Sequence, residues 1–262
     1  MAEGRVGGVE WSASGDGLPV TVFAHGLAGS QAEVRPLASR TPGTRVLLSF
    51  RGHGGSDPLV DGWDFDLLAD DLLAVADATG ATRAVGLSLG AGALLRALVR
   101  DPLRFDRVAF VMPASLDEVR DDRATDWLLR LAAAMDADDQ AAVTDLLLAE
   151  VPDAVRHRTG ARLLVQRRAR QLAGSPPPRP RGQVRPLDDL SQLRRLTAPA
   201  LVVAQVDDDL HPVSVARRLA AALPDARLVE LPQGAVFWTS ARETADLLAA
   251  HLSEQAEVLV AG

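Results

Sequence analysis

Three short segments bring together residue types that can activate a hydroxyl group. "AVGLSLGAG" matches G-x-S-x-G at Gly86, Leu87, Ser88, Leu89 and Gly90. A match to so short a pattern arises easily in a glycine-rich chain, so its context has to carry the argument. It follows a run suited to a buried strand and opens a helical pattern, and small residues there permit the sharp turn that lifts a serine oxygen over the sheet edge. The rival is a strand-to-helix turn with an incidental serine. "FAHGLAGS" ends an earlier apolar run, and its flexible turn lets the Leu27 N–H point toward Ser88, where with the Leu89 N–H it can hold a developing oxyanion. His25 in that segment is a structural residue or a group facing the substrate. "QVDDDLHPVSVARRL" places Asp207, Asp208 and Asp209 before His211 and Pro212. An acid after a strand end suits the third member of such a site, while the competing use is to cap the helix that begins near Pro212.

These loops need a scaffold that brings them together, and the chain shows one. "VTVFA" (20–24), "RVLLSF" (45–50), "RAVGL" (83–87), "RVAFVM" (107–112), "ALVVAQV" (200–206) and "RLVEL" (227–231) are short apolar runs bounded by Gly, Pro, Asp or Ser. Such runs predict strands buried on both faces. Helical patterns alternate with them over 66–79, 91–101, 212–223 and 241–252, so right-handed crossovers and a mostly parallel, doubly wound sheet are expected. All three segments then lie at the C-terminal ends of strands, where an open parallel sheet binds its ligand. Residues 115–185 break the alternation. They are helical by pattern, rich in Arg and Asp, and end in the proline-rich "GSPPPRPRG". The expected organisation is therefore a core of 1–114 and 186–262, with 115–185 as a helical cap insertion above it.

Composition narrows the function. With 262 residues and 47% hydrophobic content the chain can bury one full core. Lysine, isoleucine, asparagine, tyrosine and cysteine are absent. That set follows from a GC-rich genome, and it removes Schiff-base chemistry, thiolate nucleophiles and tyrosine donors. A net charge of −7 argues against a nucleic-acid partner. No apolar run long enough for a membrane span and no secretory pattern is visible, which makes the cytoplasm the default location. No ligand cluster or phosphate loop implies a metal or organic cofactor.

"HGLAGS", "FRGHGGSD", "GLSLGAG" and "VDDDLHP" occur in the order and spacing of the α/β-hydrolase fold superfamily, and the chain most resembles its small bacterial esterases, haloperoxidases and peptidases. The likeness spans nearly everything but the insertion. It implies an α/β-hydrolase fold, with Ser88 as nucleophile, Asp208 as acid, the Leu27 and Leu89 amides as oxyanion donors, and a turn role for His53. It also implies a histidine in a G-H-F segment after the last strand. There "LPQGAVFWTS" has Val236 instead, with Ala235 and Phe237 beside it. Valine cannot accept the Ser88 proton, and losing the base can cost on the order of 10⁶ in rate.

Three ways round this gap are open. A relocated histidine can serve, and of the five present (His25, His53, His157, His211 and His251) His211 is nearest the acid. The cleft can instead act without serine chemistry, as in atypical members that lack part of the triad, including a bottromycin-type peptide epimerase of natural-product biosynthesis whose substrate carboxylate helps. Or the protein binds a ligand silently. The expected partner is a small-molecule or peptide substrate with an ester- or amide-type carbonyl. Amphipathic patterns over 124–135 and 141–151 suit a lid over an apolar pocket, or a partner surface. The basic stretch 158–172 suits a carboxylate-bearing substrate or a solvated face. Trp238, beside Val236, either fills the volume an imidazole would occupy or stacks on a ligand.

Overall fold

A computed structural model of the chain describes residues 2–119, 123–173, 175–177, 179–182 and 185–253. Eight strands form one sheet: β1 (Ala2–Val6), β2 (Val9–Ser14), β3 (Val20–Ala24), β4 (Thr44–Ser49), β5 (Arg83–Leu87), β6 (Arg107–Val111), β7 (Ala200–Gln205) and β8 (Ala226–Leu231). Their order is β1-β2-β4-β3-β5-β6-β7-β8. From β4 to β8 all neighbours are parallel, whereas β1 pairs with β2 and β2 with β4 in antiparallel register.

The six apolar runs became the six parallel strands, and the reason is visible residue by residue. Along β3, Val22 and Ala24 enter one core cluster and Phe23 the other; β4 divides Val46 and Leu48 from Leu47 in the same way, and β7 divides Val202 and Ala204 from Leu201 and Val203. A strand sends successive side chains to opposite faces, so an unbroken apolar run fits only where both faces are covered. Helices α2 (Phe65–Thr79), α3 (Leu89–Arg100) and α8 (Val213–Ala222) supply the first cluster, and α1 (Gln31–Ala38) and α9 (Ala241–Ser253) pack against the second. The β1–β2 hairpin was not expected. Its strands carry polar, half-exposed residues rather than an apolar run, and its turn rests on Gly7 and Gly8, both at positive φ (55° and 83°).

Between β6 and β7 the chain leaves the sheet for α4 (Arg123–Asp136), α5 (Gln140–Ala149), α6 (Asp153–Arg156) and α7 (Thr159–Leu172). These helices bury their own cluster, including Leu131, Val143, Leu147, Val155 and Val165, and Ala28 from the β3 loop and Trp238 from the loop after β8 project into it. The proline-rich return is anchored by short-range pairing: Trp63 N–H donates to Arg179 O (2.9 Å) and Arg181 N–H to Trp63 O (2.7 Å). Among the described residues no helix is long and apolar enough to cross a membrane.

Candidate active site

The turn from β5 into α3 is built around Ser88. Its backbone has φ 51° and ψ −108°, a region that residues with a Cβ rarely occupy. Two glycines make this possible by their lack of volume. A Cβ on Gly86 would stand 2.3 Å from Gly90 O, and one on Gly90 would stand 2.5 Å from Ala24 O. The backbone holds the turn from both sides, with Ser88 N–H donating to Val111 O (2.9 Å) and Ala91 N–H to Ser88 O (3.0 Å). The Ser88 hydroxyl consequently stands at the C-terminal edge of the sheet, on a rigid support.

After β7 the chain wraps round a carboxylate. Asp208 Oδ1 accepts the backbone N–H groups of Leu210 (2.9 Å) and His211 (3.0 Å), and its Oδ2 accepts from Gln205 Nε2 (2.8 Å). This turn brings the side chain three residues on back over the carboxylate. His211 Nδ1 lies 3.0 Å from Asp208 Oδ2, and His211 Nε2 lies 2.9 Å from Ser88 Oγ. With Asp208 ionised, Nδ1 carries the imidazole proton and Nε2 is left with the lone pair that faces the serine. Burial pushes the Asp208 carboxyl upward, but the hydrogen bond and charge of His211, with the Gln205 amide, outweigh it and hold the group at about 2. The structure thus joins Ser88, His211 and Asp208 in one hydrogen-bonded chain. Gln205, which sequence reading missed, supports that chain from the last residue of β7.

The loop after β3 is held at nearly every polar atom. Gly26 O accepts from His25 Nδ1 (2.7 Å) and from Gly29 N–H (3.1 Å), and Gly26 N–H donates to Glu33 Oε2 (3.0 Å). A peptide's N–H points opposite to its C=O, so fixing Gly26 O fixes the direction of the Leu27 N–H. His53 Nε2 accepts Ala28 N–H (3.1 Å), and Arg168 of α7 donates to Leu27 O (3.1 Å) and Ala28 O (3.2 Å). Ala28 has φ 53°, so this loop also stores backbone strain that these bonds must hold. Among the described residues no protein acceptor takes the N–H of Leu27 or of Leu89, the first residue of α3. Both are available to an incoming oxygen.

His25, for which a place facing the substrate was one reading, and Val236, which stands at the motif's histidine position, are both placed in the core. His25 is fully buried, its Nε2 accepting from Phe50 N–H (3.1 Å) while Nδ1 is committed to Gly26 O, so neither ring nitrogen is left for a ligand. Burial is the main cause that lowers His25 to about 4 and His53 to about 3, and both are neutral Nδ1–H tautomers shaping the loop. Val236 is also fully buried, in a π-type turn (Ala235–Thr239), as part of the core cluster with Leu248 and Leu252. It is a packing residue. Trp238, two residues on, is half-buried against the α4–α7 cluster. His157 is exposed at the end of α6, and His251 is partly buried with Nε2 3.0 Å from Val108 O. Asp209 pairs with Arg123 at the start of α4. The basic stretch of α7 does not present Arg168 to solvent or to a carboxylate ligand, because its guanidinium is spent on the β3 loop and on Glu150 Oε2 (3.5 Å). No spacing rule links residues 28 and 168, so that contact left no trace in the sequence.

Fold and site together define the class. The chain matches the alpha/beta hydrolase family over residues 21–250 and belongs to that family. Among its relatives, a protein named "Putative carbamate hydrolase RutD" from Caulobacter segnis is 30% identical over 249 residues, covering 89% of this chain and 91% of that protein. One of the same name from Variovorax paradoxus is 30% identical over 81% of this chain and 83% of its own. Solved structures agree in fold. A hydrolase from Pseudomonas aeruginosa superposes with a TM-score of 0.76 at 22% identity over 94% of both chains. The enol-lactonase from Burkholderia xenovorans gives 0.75 at 20% identity, covering 97% of this chain and 100% of that one.

Proposed function

We propose that this protein is a serine hydrolase that cleaves a small ester-, amide- or carbamate-type substrate through an acyl-Ser88 intermediate. The observation that carries the proposal is the unbroken chain from Ser88 Oγ to His211 Nε2 (2.9 Å) and from His211 Nδ1 to Asp208 (3.0 Å). His211 takes the Ser88 proton as Oγ attacks the carbonyl carbon, and the carbonyl electron pair moves to an oxyanion received by the Leu27 and Leu89 amides. Collapse of that intermediate expels the leaving group, to which His211 returns the proton. Water then repeats the cycle: His211 accepts its proton, hydroxide adds to the acyl carbon, and Ser88 departs reprotonated as the acid product leaves. The carboxylate of Asp208, kept ionised far below neutral pH, steadies the imidazolium in both halves.

Carbamate enters this substrate class through the printed name of the curated relatives, and the ester and lactone end of the range through the solved hydrolases that share the fold. The helices α4–α7, with Ala28 and Trp238 in their apolar cluster, are suited to act as a cap over the acyl pocket. A substrate-assisted route has less to recommend it, since a base stands at position 211 and leaves no gap for the substrate to fill. The test is turnover of p-nitrophenyl acetate. Ser88→Ala and His211→Ala each reduce kcat by at least about 10³-fold in folded protein; a His211→Ala enzyme within tenfold of wild type overturns the assignment of the base.

A further inference from the structure

One of the groups that hold the β3 loop, Arg168, comes from the helical segment, and it is itself paired there with Glu150. Arg168 lies on α7, and Glu150, which caps the end of α5, lies beside it. Arg168 uses Nε for Ala28 O, Nη2 for Leu27 O and Nη1 toward Glu150 Oε2. The Leu27–Ala28 peptide is therefore tied at both ends, its C=O to Arg168 and its N–H to His53 Nε2. The preceding peptide is tied at Gly26 O by His25 Nδ1 and Gly29 N–H. Fixing both planes fixes φ and ψ of Leu27, and with them the aim of its amide. Of the bonds on these two peptides, the one at Leu27 O comes from the helical segment, and Arg168 adds a second on the next carbonyl, Ala28 O. The side chains of both members of the pair are mostly hidden (26% and 22% exposed), which strengthens the hydrogen bonds Arg168 makes. Glu150 Oε1 is buried and receives no donor among the described residues. Arg168 pairs with it directly, and it lies in the field of His211, Asp208 and Glu33.

We infer that Arg168, oriented by Glu150, is a positioning residue for the oxyanion-binding amide of Leu27, so that the helical segment sets how well the core stabilises the transition state. This rests on the serine-hydrolase reading above. A donor aimed in advance contributes to catalysis through the developing charge, whereas a ground-state carbonyl gains little from it. Loosening that aim lowers kcat and spares KM.

The experiment is steady-state hydrolysis of p-nitrophenyl acetate by wild type, Arg168→Met, Arg168→Lys and Ser88→Ala, together with inhibition by an alkyl trifluoromethyl ketone, whose hemiketal oxygen occupies the same amides. Removing an oxyanion donor outright costs about 10²–10³ in kcat, so a misaimed one in Arg168→Met costs about 10–100-fold. KM stays within about twofold, and the ketone's inhibition constant rises in parallel with the loss of kcat. Arg168→Lys, which keeps the charge and one donor, recovers part of both. Glu150→Gln gives a smaller change of the same kind and serves if Arg168→Met melts too low to assay. Unchanged kcat in Arg168→Met, or a loss confined to KM, overturns the inference while leaving the hydrolase reading intact. Wild-type turnover in Ser88→Ala overturns that reading and this inference with it.

Discussion

At the scale of single residues, the central fact is that the histidine hydrogen-bonded to Ser88 does not stand where the family's pattern puts one. His211 reaches Ser88 because Asp208 gathers the backbone of its own turn, accepting the N–H groups of Leu210 and His211 on one oxygen and the His211 ring on the other. The sequence displayed both residues and their spacing of three, but spacing alone could not tell a helix-entry histidine from one that reaches Ser88. That distinction depends on the turn geometry and on Ser88, which is 123 positions away. Val236 carries the complementary lesson. Its place in the motif was legible, its burial was not, and a side chain with zero exposure in the core cannot be exchanged for a base. Accordingly, Val236→His fails to restore esterase activity to His211→Ala, and it lowers the melting temperature of the otherwise wild-type protein because a polar imidazole enters an apolar site. Activity in the double variant above one tenth of wild type would contradict this.

At the scale of elements, the parallel strands and the elbow were readable because each states a physical constraint locally: a run buried on both faces, or a turn with no room for a Cβ. Gly90 shows how tight that turn is. In Gly90→Ala the new methyl meets the carbonyl of Ala24, which is backbone and cannot swing aside. Overpacking of this kind costs about 1–3 kcal/mol, which lowers the melting temperature by roughly 2–12 °C in a domain of this size. The same shift moves Ser88 away from His211, so calorimetry and esterase rates fall together; a stable variant of full activity would show that the turn can relax. The β1–β2 hairpin was illegible for the opposite reason, since half-exposed polar strands at a sheet edge carry no apolar run. The helices of the insertion were visible as amphipathic patterns. What they touch was hidden, because Arg168 and the loop at residues 27–28 meet only in three dimensions.

For the whole molecule, two buried histidines tie stability to acidity. His25 and His53 are neutral in the fold, lowered to about 4 and about 3 from an unfolded value of 6.5. The unfolded chain binds protons at these sites first, so their contribution is complete above pH 6.5 and is lost as pH falls toward 4 and 3. Glu150, raised to about 7 by burial, acts with the opposite sign between pH 7 and 4.5, so the urea midpoint falls from pH 6.5 to 4 by the excess of the two histidines over it, and less steeply in His53→Gln, whose amide oxygen can still accept the Ala28 N–H without binding a proton. Equal slopes in the two proteins would remove His53 from this account. Sheet, elbow, acid turn and helical segment meet around Ser88: the β5–α3 turn carries it, the Asp208 turn brings His211 to it, and Arg168 reaches the loop at Leu27. The most direct test of that arrangement is intact-mass analysis after exposure to a small fluorophosphonate, which reacts with an activated serine whatever the natural substrate. The account predicts one adduct within minutes on the wild-type protein, none on Ser88→Ala, and labelling slowed by at least about 10³-fold in His211→Ala. Folded wild-type protein that stays unmodified over hours, or a His211→Ala variant labelled at the wild-type rate, would contradict it.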